Sequence, residues 1–351
     1  MTERELQYIT DILKGQEPQE QPEDWYRVLG FLQCHRVAGL FYNRAKKQSI
    51  PLPKRAEKLL RNTFEGQKRR VEFMRGYIAE LSEALERSGI EYVFLKGSVL
   101  TNILGNEIYA DGERSSNDID LLAEPSCVGE IEKVLRELGY VQGEYSAEEK
   151  TIRPYTRLEI VKRRMNRGEA APFIKRTGNT EIPFIEVDIN FSLGNTPNDG
   201  QELLAEMVGS GLTYKGKVPL CVPGEEMFFL HLILHQYKES CLYFMAERGK
   251  ELDLYKLADI YYLIKAEAFD KKKAVEIANQ YQIIDRLGAV LQQVGEVFED
   301  DAILTEAQKY GIEQPDVVDY ERKRRYEWTV PIRERICSYS ALKYLRQKGE
   351  L

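Results

Sequence analysis

Residues 91–100 read EYVFLKGSVL, and residues 114–122 read RSSNDIDLL. The first stretch predicts a strand over Glu91 to Leu95, because its residues are aromatic and β-branched. Gly97-Ser98 then opens a helix to about Leu104, and Ile108 to Asn117 is loop. The second stretch predicts a strand over Asp118 to Leu122. Alternate strand residues share a face, about 6.6 Å apart along the chain. Asp118 and Asp120 therefore point the same way. Two carboxylates on one face of an apolar strand need a metal, basic partners or water.

A third carboxylate interrupts another apolar strand. Ile182 to Leu193 reads IPFIEVDINFSL and alternates as a half-buried strand does. Asp188 and Glu186 lie on one face of it, and either could join Asp118 and Asp120. Asp188 is favoured because it sits between Val187 and Ile189, deep in the strand. Lys96-Gly97-Ser98 stands at a strand-to-helix turn. Such a turn suits a phosphate, since glycine allows close backbone approach and a helix start offers free N–H groups.

Around this core the pattern is helical. Residues 3–14 are amphipathic, and Gln16 to Asp24 (QEPQEQPED) is a polar linker. A helix is expected over Trp25 to Lys47 and another over 55–88, stopped by Gly89. Ser126 is expected to cap a helix to Leu138. Residues 139–193 read as several strands with basic turns, and the chain from Pro223 onward as nearly all helix. The fold class is thus α+β: a mixed-sheet core over 89–222, with helical parts at 1–88 and 223–351.

Composition narrows the function classes. A chain of 351 residues with 43% hydrophobic residues can bury a core without staples, which excludes a disordered or disulfide-knot protein. Five scattered cysteines, with no C-x-x-C, exclude a zinc ribbon. The start, MTERELQ, has no secretory h-region, and the most apolar run, Met227 to Leu234, is too short to span a bilayer. A cytoplasmic location without membrane contact is expected. The net charge of −7 argues against bulk DNA binding. Two stretches run the other way: 150–176 carries net +7 and 320–351 net +5. Solvated faces explain both, and an anionic partner is the alternative.

These residues resemble the DNA polymerase β-like nucleotidyltransferase superfamily, and more closely the bacterial "uncharacterised nucleotidyltransferase" family. The matching stretches are WYRVLGFLQCHRVAGL (25–40), GIEYVFLKGSVL (89–100), RSSNDIDLL (114–122), VDINFSL (187–193), Glu225 to His235 and LADIYYLI (257–264). The resemblance spans about 25–265. It implies a polymerase β-like core that transfers a nucleotidyl group from an NTP such as ATP, using Mg2+ or Mn2+. By the resemblance, Asp118, Asp120 and Asp188 would be catalytic and hold the metal. Lys96, Gly97, Ser98 and Arg114 would meet the phosphates. Glu186, Asn190 and His235 are further pocket candidates.

Two features depart from the family pattern. Residues 99–117 make a long insertion, and Asn190 stands where a histidine is expected. The acceptor could be a small molecule or a peptide, with tRNA possible. The rivals are a non-catalytic nucleotide-binding scaffold and a transferase with a nucleotide-sugar donor. His231 and His235 (HLILH) have zinc-compatible spacing, but their apolar neighbours favour packing. His35, Trp25, Tyr261 and Tyr262 read as core, and Arg322 to Arg325 as a solvated helix face.

Overall fold

The chain starts on a reciprocal cap. Thr2 Oγ1 accepts the Glu5 N–H at 3.2 Å, and the Glu5 carboxylate accepts the Thr2 N–H at 2.9 Å. This begins α1 (Glu3–Lys14), which Gly15 ends at φ 80°. Asp24 caps α2 (Trp25–Cys34) by accepting from Tyr26 and Arg27. After α3 (Ala38–Lys47) comes α4 (Lys54–Ser88), which stops at Gly89, φ 68°. The computed structural model describes residues 1–102, 108–311, 314–338 and 340–351.

A mixed region follows in the order β1 (Val93–Leu95), α5 (Lys96–Leu100), β2 (Asp118–Leu122), α6 (Val128–Glu137), β3 (Val141–Ser146) and β4 (Thr151–Pro154). It continues through α7 (Arg157–Arg167), β5 (Phe173–Arg176), β6 (Phe184–Asn190), α8 (Gln201–Gly209), β7 (Leu212–Lys215) and β8 (Pro219–Val222). Next come α9 (Glu225–Ser240), α10 (Tyr243–Glu247), α11 (Leu254–Lys265), α12 (Lys271–Gln280), α13 (Ile284–Phe298) and α14 (Asp301–Gln308). The chain closes with β9 (Val317–Asp319), β10 (Arg324–Trp328), α15 (Ile332–Ile336) and β11 (Leu345–Glu350).

Several local expectations are corrected. The helix expected over 25–47 is two helices, because Arg36 adopts φ 57°, which no continuous helix can hold. Ser126 caps nothing: α6 starts after Cys127 with no side-chain cap. A helix, α7, interrupts the strands expected over 139–193, and its signal was the reciprocal cap of Thr156 and Glu159. The C-terminal part is not nearly all helix. There β9, β10 and β11 form a three-stranded antiparallel sheet. Arg322 to Arg325 therefore lie on a turn and a strand, with Arg322 Nη1 on Asp319 at 2.9 Å. α5 is only five residues, and the stretch expected to extend it to Leu104 includes 103–107, outside the described residues.

The chain divides into two compact units. One comprises Gly66–Phe228 and the other Met1–Glu65 with Phe229–Leu351. The unit of Gly66–Phe228 is built on a six-stranded sheet in the order β1-β2-β6-β5-β3-β4. The β2–β6 pair is parallel and the other pairs are antiparallel. On β2, Ile119 and Leu121 are fully buried, and on β6 so are Ile185, Val187 and Ile189. Strand alternation then sends Asp118, Asp120, Glu186 and Asp188 to the opposite face. In the unit of the two chain ends, α13 supplies Leu287, Val290, Val294 and Phe298 to the core, and Tyr261 stacks on Phe298 at 4.3 Å.

The loop leading into β2 is held by α4. Arg75 donates to Asn102 Oδ1 at 3.0 Å, to Thr101 O at 3.1 Å and to Asp111 Oδ1 at 2.6 Å. The Arg75 guanidinium holds the Asp111 carboxyl down at about 2. We expect Arg75→Met to cost about 1–3 kcal/mol, since it leaves Asp111 short of a partner. Amide exchange over 108–117 should rise about tenfold while the rest of the sheet keeps its protection. Unchanged exchange there would show that the loop does not depend on this clamp.

Candidate active site

The site forms where β2 and β6 run side by side in parallel. Their register pairs Asp118 with Glu186 and Asp120 with Asp188. Neighbouring strands lie about 4.8 Å apart, so a register match puts paired side chains in contact range. One oxygen each from Asp118, Asp120 and Asp188 all lie within 4.8 Å of one another. Among the described residues this is the only group of three or more acidic, histidine or cysteine side chains so placed.

The surroundings press on the charges. Asp120 is buried, and that burial pushes its carboxyl up to about 6; Lys96 pulls it down and Asp118 pushes it up further. Asp188 is held well above the ordinary range, first by desolvation and then by the charges of Asp120, Glu186 and Asp118. Glu186 is raised for the same reasons, with Arg163 opposing. A set of hard oxygen ligands that repel one another fits a divalent cation such as Mg2+ or Mn2+.

Supporting contacts fix the carboxylates. Ser116 Oγ donates to Asp118 Oδ1 at 2.8 Å. Arg70, on α4, donates to Ser116 O at 2.9 Å and to Asn117 O at 3.4 Å. Gly97 packs directly on Ser116, and a Cβ at Gly97 would lie 2.5 Å from the Ser116 Cβ. Lys96 Nζ meets Asp120 Oδ1 at 2.8 Å. Sequence reasoning had placed Lys96 at the phosphates and carried no sign of Arg70, because neither a helix face nor a spacing reveals which loop it clamps.

The other candidates fall in several places. Gly97 and Ser98 are buried, and Ser98 Oγ has no hydrogen-bond partner among the described residues. Arg114 is buried in its own loop, where its guanidinium donates to Ser115 O. Asn190 ends β6 on the carboxylate face and donates to Leu121 O at 3.3 Å. His235 belongs to the other unit, with Nε2 3.5 Å from Glu239 Oε1. The His231 and His235 rings are parallel, 6.2 Å apart, and no third ligand joins them among the described residues. His35 is core, where burial lowers its imidazole to about 4.

A family model described as "Uncharacterised nucleotidyltransferase" matches residues 21–299. The chain belongs to this family. It is an enzyme of the nucleotidyltransferase class, and its six-stranded mixed sheet is consistent with a nucleotidyltransferase fold. No curated protein and no solved structure gives a significant match. No described helix of this nucleotidyltransferase is long and apolar enough to cross a membrane.

Crowded like charges predict a trade between site and stability. Asp188→Asn should raise the melting temperature of the chelator-treated nucleotidyltransferase by a few degrees near pH 8. A raised carboxyl prefers its proton when folded, so the ionised form burdens the fold above that value and not below the unfolded one. The gain should therefore shrink as pH falls toward about 4. Melting curves across pH check this, and a gain that grows on acidification would contradict the charge argument.

Proposed function

We propose that the protein transfers a nucleotidyl group from a nucleoside triphosphate to a hydroxyl-bearing acceptor, on a polymerase β-like core within 89–222. The observation that carries this reading is the cluster of Asp118, Asp120 and Asp188 within 4.8 Å, in a chain of this family. In this proposal the helical parts, 1–88 and 223–351, flank the catalytic part.

Asp118, Asp120 and Asp188 would hold the divalent ions, Mg2+ or Mn2+. Bound there, the ions supply positive charge for the α-phosphate and the leaving pyrophosphate and lower the pKa of the acceptor hydroxyl. The chain's residues do the rest. The acceptor oxygen forms a bond to the α-phosphorus, the α–β phosphoanhydride breaks, and pyrophosphate leaves. Asp188, whose carboxyl favours a proton, takes the proton of the acceptor hydroxyl. Lys96 and Arg114 would offset phosphate charge, and Gly97 and Ser98 would shape the turn beside it. Glu186 and Asn190 share the β6 face with Asp188 and would border the acceptor. A small molecule or a peptide is the favoured acceptor, with an RNA end as the alternative.

Donor binding tests this directly. We expect a melting-temperature shift with one or more of ATP, GTP, CTP and UTP that needs Mg2+. At about 100 times its dissociation constant, a ligand adds roughly 2.7 kcal/mol of stability. Asp118→Asn/Asp120→Asn should abolish the shift. A shift with nucleotide sugars alone would move the reading to a sugar donor. A triphosphate shift that the double variant retains would leave a nucleotide-binding scaffold instead.

A further inference from the structure

Lys96 has a backbone that a lysine rarely adopts. Its φ is 47°, in the left-handed region, at the junction of β1 and α5. A side chain there costs roughly 1–2 kcal/mol, which glycine would avoid. Strain at a functional site is a reason to ask what the side chain does. Its ammonium lies 2.8 Å from Asp120 Oδ1, on one of the three oxygens that lie within 4.8 Å of one another. The Asp120 side chain is 3% exposed and the Lys96 side chain 21%, so the ammonium end lies on a buried acid and the stem reaches toward solvent.

A divalent ion binds a carboxylate oxygen at about 2.0–2.2 Å and repels an ammonium at contact distance. Lys96 and a cation on Asp120 therefore compete for one place. We propose that Lys96 is a resident counter-ion of the empty carboxylate cluster, which yields Asp120 to the metal and turns its freed ammonium to the triphosphate. This rests on the metal-site reading above. Lys96 then couples the two ligands: it weakens metal binding when no donor is present and strengthens donor binding once metal is bound. By linkage, the triphosphate must tighten metal binding by the same factor. The left-handed backbone serves this role because it hinges the side chain at the strand end, within reach of β2.

The test compares wild type with Lys96→Gly and Lys96→Met. Glycine keeps the backbone angle without strain, and methionine keeps most of the apolar stem without the charge. Mn2+ alone is titrated into chelator-stripped protein, followed by calorimetry. Inorganic triphosphate is then titrated at saturating Mn2+, a probe that needs no knowledge of the base. We expect both variants to bind Mn2+ about tenfold tighter than wild type, and triphosphate about tenfold weaker. Melting curves confirm that each variant is folded. A folded variant that binds Mn2+ no tighter than wild type overturns the proposal. Tighter Mn2+ with unchanged triphosphate also overturns it, because the ammonium then never reaches the donor. Asp120→Asn separates the two readings. If it binds Mn2+ as wild type does, the metal-site reading itself fails. If it loses Mn2+ while the Lys96 variants match wild type, only the role of Lys96 fails.

Discussion

Two adjacent strands in parallel register set the terms for everything around them. Pairing Asp118 with Glu186 and Asp120 with Asp188 puts four carboxylates on one sheet face. Their opposite faces are Ile119, Leu121, Val187 and Ile189, which are fully buried. The acids cannot relax by a register slip, because a shift of one residue would turn the apolar set outward. The hydrophobic core thus stabilises an arrangement that electrostatics alone would disperse.

The remaining contacts of the sheet unit keep those acids in place. β1 pairs with β2 so that Leu95 lies opposite Asp120, which brings Lys96 to the carboxylates. Gly97 lets the start of α5 close on Ser116, and Ser116 in turn binds Asp118. On α4, Arg70 and Arg75 are five residues apart and grip two parts of the same loop, one at Ser116 and one at Asp111. A mixed sheet with one parallel pair is therefore only part of the device. The other part is a long helix whose arginines fix the loop between α5 and β2.

Much of this was legible in the residues. Apolar alternation located β2 and β6 to within two residues, and the carboxylates that broke it were the ones brought together. Helix ends marked by Gly15 and Gly89 read correctly because a left-handed stop is a local property. The failures were of another kind. Arg36 at φ 57° splits a helix that apolar spacing alone predicts as continuous, and its neighbour His35 accepts the Leu254 N–H at 3.3 Å, a contact 219 residues away. The sheet of β9, β10 and β11 is built from short, charged strands such as RRYEW and LRQKGE, which carry little alternation. Partners that fix a side chain from far along the chain, such as Arg70 on the Ser116 carbonyl, leave no periodic trace.

A second buried acid cluster shows what sets the site apart. In the unit of the chain ends, Lys256 contacts Glu239 and lies 3.4 Å from Asp253, and His235 lies on Glu239. Burial pushes the Lys256 ammonium down, but Glu239 and Asp253 more than offset this and hold it above its usual value. Two acids there share one buried lysine, the near balance that keeps a buried ion pair tolerable. On the sheet face four acids share Lys96 and the more distant field of Arg163. That deficit of positive charge is a cost to the protein standing alone. It is also the condition under which a divalent ion gains most by binding, because each carboxylate it neutralises relieves the repulsion on the next. The fold therefore leaves uncompensated, at the one place where β2 and β6 meet, the charge that a cation would supply.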